Sequence, residues 1–354
     1  MKDDYLWDRS GEPDPEIQRL EILLGRFRHR GPAPEVPEIQ ALRKQAPKLN
    51  RTQWFWQVPA VAAAVVLVAA VWIAVRRPKP VPTRVGWAVA RLAGTPHVGS
   101  KPMDEAKEAA QLAVGQALET DSRSRASISL EEVGEIQIEP DTRLRLLEAG
   151  SARKRLALDR GTIRASIWAP PGEFVVDTPS ALAVDMGCFY TLRVDDSGAG
   201  LLRTTVGWVG FRLNDRESFI PAGAACATRP GIGPGTPYFE DAPESLRAAL
   251  TQLDSNSGST AERRPELTLI LEQSRPRDAL TLWHLLPRVD KSERPRVYDR
   301  LAALVPPPAD VSKEGILQLD EKMLDLWWDG LGLGDISLWR RWERSWSQHQ
   351  DSPR

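Results

Sequence analysis

The chain has 354 residues, 42% of them hydrophobic and 27% charged, with a formal net charge of −1 at pH 7. This is the usage of a globular protein with room for two or three domains, and so balanced a charge argues against a nucleic-acid binder as a whole. Two cysteines are far too few for a disulfide scaffold or a four-ligand zinc site.

The first predicted element is a short amphipathic helix. Asp14 suits the N-cap, Pro15 the first helical position and Glu16 the positive end of the dipole. Ile17, Leu20, Leu24 and Phe27 then fall on one face at helical spacing. A helix of about 16 residues with one apolar stripe is not stable alone, so either the Tyr5–Trp7 turn or a partner protein covers it. Residues 1–50 thus read as a helical segment followed by a linker, with prolines at 32, 34, 37 and 47.

Residues 54–75, WFWQVPAVAAAVVLVAAVWIAV, carry no charge. As a helix they would span roughly 30 Å of hydrocarbon, which predicts one transmembrane helix. Trp54, Trp56 and Trp72 sit near its ends, and Arg76 with Arg77 stops the run. Basic residues flank both ends, Arg43, Lys44, Lys48 and Arg51 before and Arg76, Arg77, Lys79 and Arg84 after. The positive-inside asymmetry therefore assigns no orientation.

Residues 80–240 read as a mainly β domain of many short antiparallel strands, an arrangement open to a sandwich, a roll or a β-helix-like stack. Alternation marks Ala126, Ile128 and Leu130, then Ile136 and Ile138, then Leu144 and Leu146 as inward-facing, and Gly115, Gly134, Gly150, Gly161 and Gly172 punctuate the runs. From Val184 to Cys226 three further runs are split by DDSGAG and NDRE. In the first of them Val184, Met186, Cys188, Tyr190, Leu192 and Val194 share one face.

The blocks LAVGQALETDSRSRASISLEEVGEIQIEPDTRLRLL, LALDRGTIRAS, FVVDTPSALAVDMGCFYTLRV, LLRTTVGWVGF and FIPAGAAC resemble, in order, a FecR-type domain over about residues 85–230. Where that family has a Gly-Thr-x-Phe-like turn, this chain has Gly187, Cys188 and Phe189. The resemblance implies a bacterial single-pass inner-membrane regulator with its N-terminus cytoplasmic and its β-domain periplasmic. It further implies an extracytoplasmic-function sigma factor as partner of the stripe Ile17, Leu20, Leu24 and Phe27, and a periplasmic or outer-membrane protein as partner of the β-domain. A zinc-binding anti-sigma segment needs paired ligands, whereas residues 1–53 hold only His29, so any sigma contact there is expected to be metal-free. In an oxidising periplasm, Cys188 and Cys226, both on inward-facing positions, are expected to form a disulfide, with two unpaired buried thiols as the alternative.

Residues 243–354 change to helical spacing. Leu280, Trp283 and Leu286, with Tyr298, Leu301 and Leu304, suggest helices meeting as hairpins in a C-terminal α-helical domain. Trp339, Trp342 and Trp346 recur on one face of the last helix and offer either a docking face within the bundle or an interaction face toward lipid or a partner.

No catalytic constellation emerges, and no cofactor or metal site is expected. Ser151 to Lys154 spells S-x-x-K between strands, away from the helix start that chemistry needs. GIGPG (231–235) lacks the Lys-Ser/Thr of a phosphate loop. The expectation is therefore a non-enzymatic signalling regulator. An envelope scaffold that reuses the same domain is the other reading.

Overall fold

The structure is a computed structural model, and it describes residues 86–350 apart from 105–107, 131–132, 152 and 256–257. The N-terminal stripe Ile17, Leu20, Leu24 and Phe27, the linker and the apolar run 54–75 lie outside the described residues. Among the described residues no helix is long and apolar enough to cross a membrane. Pro80–Arg354 form one compact unit.

In chain order the strands are β1 (Gly86–Ala93), β2 (His97–Val98), β3 (Lys101–Pro102), β4 (Ala109–Ala113), β5 (Ala117–Glu119) and β6 (Arg125–Ser129). They continue as β7 (Gly134–Ile138), β8 (Arg143–Ala149), β9 (Lys154–Ile167), β10 (Phe174–Asp177), β11 (Leu182–Asp185) and β12 (Phe189–Val194). The last six are β13 (Gly200–Val206), β14 (Trp208–Leu213), β15 (Arg216–Pro221), β16 (Ala224–Arg229), β17 (Gly233–Pro234) and β18 (Tyr238–Phe239). One sheet runs β4-β1-β6-β7-β9-β12-β13-β16, with β17 and β18 both paired to β16. The other runs β3-β2-β5-β8-β9-β10-β11-β14-β15. The long β9 belongs to both sheets, and its pairing with β10 is parallel where the sequence pattern predicts antiparallel neighbours throughout. The alternating positions fill the shared core as expected: Ala126, Ile128, Leu130, Ile136, Ile138, Leu144 and Leu146 are all buried.

The run Val184 to Val194 is not one strand. It is β11 in the second sheet and β12 in the first, separated at Gly187, whose φ of 85° is a left-handed value that favours glycine. The return from β13 to β14 crosses at Gly207, with φ 69°, and the passage from β15 to β16 crosses at Gly223, with φ 78°. Each run of the meander thus feeds both sheets, and the glycine between its halves makes the change of direction. Two of these crossings touch: a Cβ on Gly207 would lie 2.1 Å from the carbonyl oxygen of Gly187.

This geometry overturns the expected Cys188–Cys226 bridge. Both are buried free thiols. Cys226 pairs across to Leu202, which pairs to Leu192, four residues along the strand from Cys188. Two strand spacings and four residues separate the Cα atoms by roughly 16 Å, against a limit of about 7 Å for a disulfide.

The helices are α1 (Glu244–Ser255), α2 (Thr260–Gln273), α3 (Ala279–Leu285), α4 (Arg294–Leu304), α5 (Lys313–Leu317), α6 (Glu321–Leu331) and α7 (Ile336–Gln350), with a 3-10 turn over Pro276–Asp278. A reciprocal capping box between Ser259 and Glu262 starts α2. α1 packs on α2 and α3 on α4, the hairpins expected from the apolar spacing. On α7 the three tryptophans are buried against the β-body, which removes them as an interaction face. Trp339 fills the space a side chain at Gly210 would need, with a Cβ there only 1.9 Å from its ring. Trp342 lies over Gly172 in the same way, 2.4 Å from a Cβ there, and Trp346 stacks under the guanidinium groups of Arg153 and Arg155 at 4.9 and 5.2 Å.

The paired crossings give an unequal pair of substitutions. Gly187→Ala meets open space and should cost about 1–2 kcal/mol, the penalty of a left-handed L-residue. Gly207→Ala adds a collision with main chain and should cost about 3 kcal/mol or more. Urea unfolding of the Pro80–Arg354 unit, followed by tryptophan fluorescence, measures both, and equal costs would contradict the contact.

Candidate functional site

Strand β15 pairs with β14 on one side only, which leaves a row of backbone donors and acceptors that a fold must cover. Side chains from the helices cover it. The Phe219 N–H donates to His284 Nε2 at 2.9 Å, while His284 Nδ1–H donates to the Leu280 carbonyl at 2.8 Å. Both ring nitrogens are thereby used, and the tautomer follows from the partners. Arg288 donates to the Glu217 carbonyl, to Ser218 Oγ at 2.7 Å and to Thr236 Oγ1 at 2.9 Å. Burial pushes His284 well below its ordinary value, helped by the Arg288 charge. Burial also pushes the Arg288 guanidinium down to about 10, with Asp254 opposing.

The Phe219 ring sits at the centre of this seam. Trp208 and Trp283 lie with ring centroids 5.8 Å away, Trp328 at 5.2 Å and Trp339 at 5.3 Å. The pairs with Trp208, Trp328 and Trp339 are edge to face and the pair with Trp283 is tilted, and contacts of this kind add about 0.5–1.5 kcal/mol each beyond burial. They join one strand to α3, α6 and α7 at a single side chain.

Two open grooves flank the β14–β15 turn at Asn214 and Asp215. One, of about 520 Å³, is lined by Arg155, Asp177, Thr178, Arg212 and Trp346, and the other, of about 570 Å³, by Arg216, Glu217, Trp283, Pro287, Leu324 and Arg340. Asn214 takes φ 51°, the conformation of a tight two-residue hairpin. Their charged walls are fixed by mutual pairing. Arg340 contacts Glu217 at 3.0 Å, Asp325 at 3.0 Å and Glu343 at 3.2 Å, and Trp339 Nε1 donates to Glu217 at 2.8 Å. Arg216 donates to the Pro234 carbonyl at 2.6 Å and meets Asp254 at 3.3 Å. Burial raises the Glu217 carboxyl, opposed by Arg340. Walls of this kind recognise polar groups by directed hydrogen bonds from preset positions.

A second cluster occupies the β11–β12 crossing. Asp185 is 2% exposed; its Oδ1 accepts the Gly187 N–H at 2.7 Å and its Oδ2 accepts the Cys188 thiol at 2.6 Å. Burial pushes the carboxyl up to about 7, with the Cys188 and Gly187 hydrogen bonds opposing. Burial and the neighbouring Asp185 raise the Cys188 thiol well above its usual range. The thiol therefore does here what a threonine hydroxyl would do, donating to a carboxylate that ties the turn.

The candidate residues of the sequence thus scatter. Ile17, Leu20, Leu24 and Phe27 lie outside the described residues, Cys188 and Cys226 belong to separate environments, and Trp339, Trp342 and Trp346 serve the seam. His284, Arg288, Phe219 and Asp185 carry no local signature that singles them out. An Asp two residues before a glycine is the one turn signal available for Asp185. Among the described residues no group of three or more His, Cys, Asp or Glu side chains could hold a metal ion.

Residues 116–206, which hold β5 to β13 and the Asp185–Cys188 crossing, match the model of the FecR protein family. The solved structures similar to the chain include two crystal structures of a candidate anti-sigma factor from Parabacteroides distasonis, each 14% identical, with a TM-score of 0.32. Each match covers 38% of this chain and 64% of the other. No curated protein matches the chain.

The two buried titrating groups pull stability in opposite directions with pH. His284 is held below its unfolded value of about 6.5, so as pH falls below that value the unfolded chain takes up a proton that the fold refuses. Stability then drops by about 1.4 kcal/mol per pH unit. Asp185 is raised from 3.8 to about 7, so its contribution is full below about 4 and is lost at a similar slope as pH rises to 7. Between pH 5.5 and 6.5, His284→Gln should gain on the wild type by about 1 kcal/mol on going to the lower pH, because the unfolded imidazole is only half protonated at about 6.5. Asp185→Asn should gain by about the same amount on going to the higher pH. Urea unfolding at the two pH values reads both, and parallel profiles for wild type and variants would contradict the assignments.

Proposed function

We propose that the chain is a non-enzymatic, single-pass regulator of the bacterial inner membrane. Its FecR domain faces the periplasm, and its N-terminal segment handles an extracytoplasmic-function sigma factor. The observation that carries this reading is the FecR match at residues 116–206, placed in the chain after an apolar run long enough to span a bilayer and a short amphipathic segment. The amphipathic stripe supports it further, because a helix that short needs a surface to bury its apolar face. The grooves beside the β14–β15 turn supply the periplasmic side with fixed hydrogen-bonding walls suited to a protein partner, either periplasmic or in the outer membrane.

Fusions report the topology. Alkaline phosphatase joined at Pro243 should be active and at Asp14 inactive, with fluorescent-protein fusions showing the reverse. Phosphatase activity from the Asp14 fusion alone would overturn the orientation.

The stripe is tested separately. Leu20→Asp with Leu24→Asp replaces two burials worth roughly 1.5–3 kcal/mol each by two buried charges. The double variant should no longer co-purify the sigma factor that the wild type captures, while the Pro80–Arg354 unit keeps its unfolding midpoint. Undiminished capture would reduce the stripe to internal packing.

A further inference from the structure

The first sheet exposes an apolar group that no other described residue covers. Trp168 is 59% exposed, Val206 50% and Phe189 39%, and the Trp168 and Phe189 rings meet edge to face at 6.0 Å. Phe189 pairs directly with Val206 on one side and with Ser166 on the other, and Trp168 follows two residues after Ser166 on the same outward parity. The three side chains therefore form one contiguous patch at one end of the sheet.

That end is also where the chain enters. The register passes from Val206 and Phe189 through Ser166 to Glu135, Ser129 and Ala88, so Gly86, the start of β1, lies at the same end as the patch. Only ten residues, Arg76 to Val85, separate Gly86 from the end of the apolar run at Val75. Fully extended they reach at most about 35 Å, and Pro78, Pro80 and Pro82 favour a stiff, extended tether. A tryptophan and a phenylalanine side by side at that end of the domain have the composition of an interfacial anchor.

We infer that Trp168, Phe189 and Val206 form a foot that rests in the headgroup region of the membrane to which the chain is tethered. The inference rests on the single-pass reading above. The occupant is lipid, held by apolar contact and not by charge: the acidic Glu135 stands in the same row. Neutral lipid therefore suffices, and added salt should not release the contact.

The test uses the full chain reconstituted in phosphatidylcholine bilayers, with Val206→Cys carrying a small fluorophore. Cys188 and Cys226 are buried and stay unlabelled in the folded protein. Bromine-bearing phosphatidylcholine should quench the label strongly at low and at high salt. Trp168→Ser with Phe189→Ser should reduce that quenching several-fold while the protein keeps a cooperative thermal transition, since neither side chain belongs to the buried core. Resistance of the chain to alkaline extraction reads the membrane anchor independently. A resistant chain with an unquenched label overturns the foot alone, and an extractable chain overturns the single-pass reading together with it. A label shielded equally by ordinary and brominated lipid, with crosslinking between chains, assigns the patch to a second copy and likewise overturns the foot.

Discussion

The contact between Gly207 and the carbonyl of Gly187 fixes the rest of the molecule. Two strands leave one sheet for the other at the same place, and the two backbones touch there because Gly207 carries no side chain. Register follows from that contact. Phe189, just after Gly187, and Val206, just before Gly207, flank it in the first sheet, and Asp185 and Trp208 flank it in the second. The buried carboxyl–thiol pair, the exposed apolar patch and the start of the groove-bearing hairpin are thus all set by one close approach.

From Trp208 the hairpin β14–β15 carries that placement to the helices. Phe219 meets aromatic rings from α3, α6 and α7, and His284 closes the backbone edge that β15 leaves open. A Phe→Ala change in such a core removes about 3–5 kcal/mol, a large part of the stability of an ordinary domain. The helices therefore act as the missing neighbour of an edge strand. Separating them would expose Phe219 and orphan its N–H in the same step.

What the sequence made legible was the physics with a short period. Strand alternation placed Ile128, Ile136, Leu144 and Leu192 inside, and helical spacing paired Leu280 and Trp283 with Tyr298 and Leu301. What it hid was direction. Parity says that Cys188 and Cys226 both face a core, but it does not register that β13 lies between β12 and β16 or that the two thiols are offset by four residues along the strands, so two inward thiols read as neighbours. The tryptophans of α7 do dock the helix, as one of their two readings had it, but what they dock on was hidden for a related reason. Their spacing announces a buried face, yet the surface they cover is made by Gly172 and Gly210, more than a hundred residues earlier, where the signal is only the absence of a side chain. His284 and Arg288 were beyond reach, because a satisfied buried polar group is defined by partners and not by its neighbours in the chain.

The extent of the FecR match gives these pieces an order. It ends at residue 206, immediately before the Gly207 crossing. The matched segment holds β9, the strand common to both sheets, and the Asp185–Cys188 turn, which together determine how the sheets are joined. The grooves draw on β14, β15 and the helices, all after the crossing, with only Arg155, Asp177, Thr178 and a few neighbours contributed from within it. A partner that reads Arg216, Glu217 and Arg340 therefore reads a surface built on the shared scaffold but written outside it. Two of the three side chains of the apolar patch lie on paired strands of the scaffold itself, and the third follows β9 directly. Recognition can then vary through β14, β15 and the helices while the contact between Gly187 and Gly207 keeps both surfaces in register.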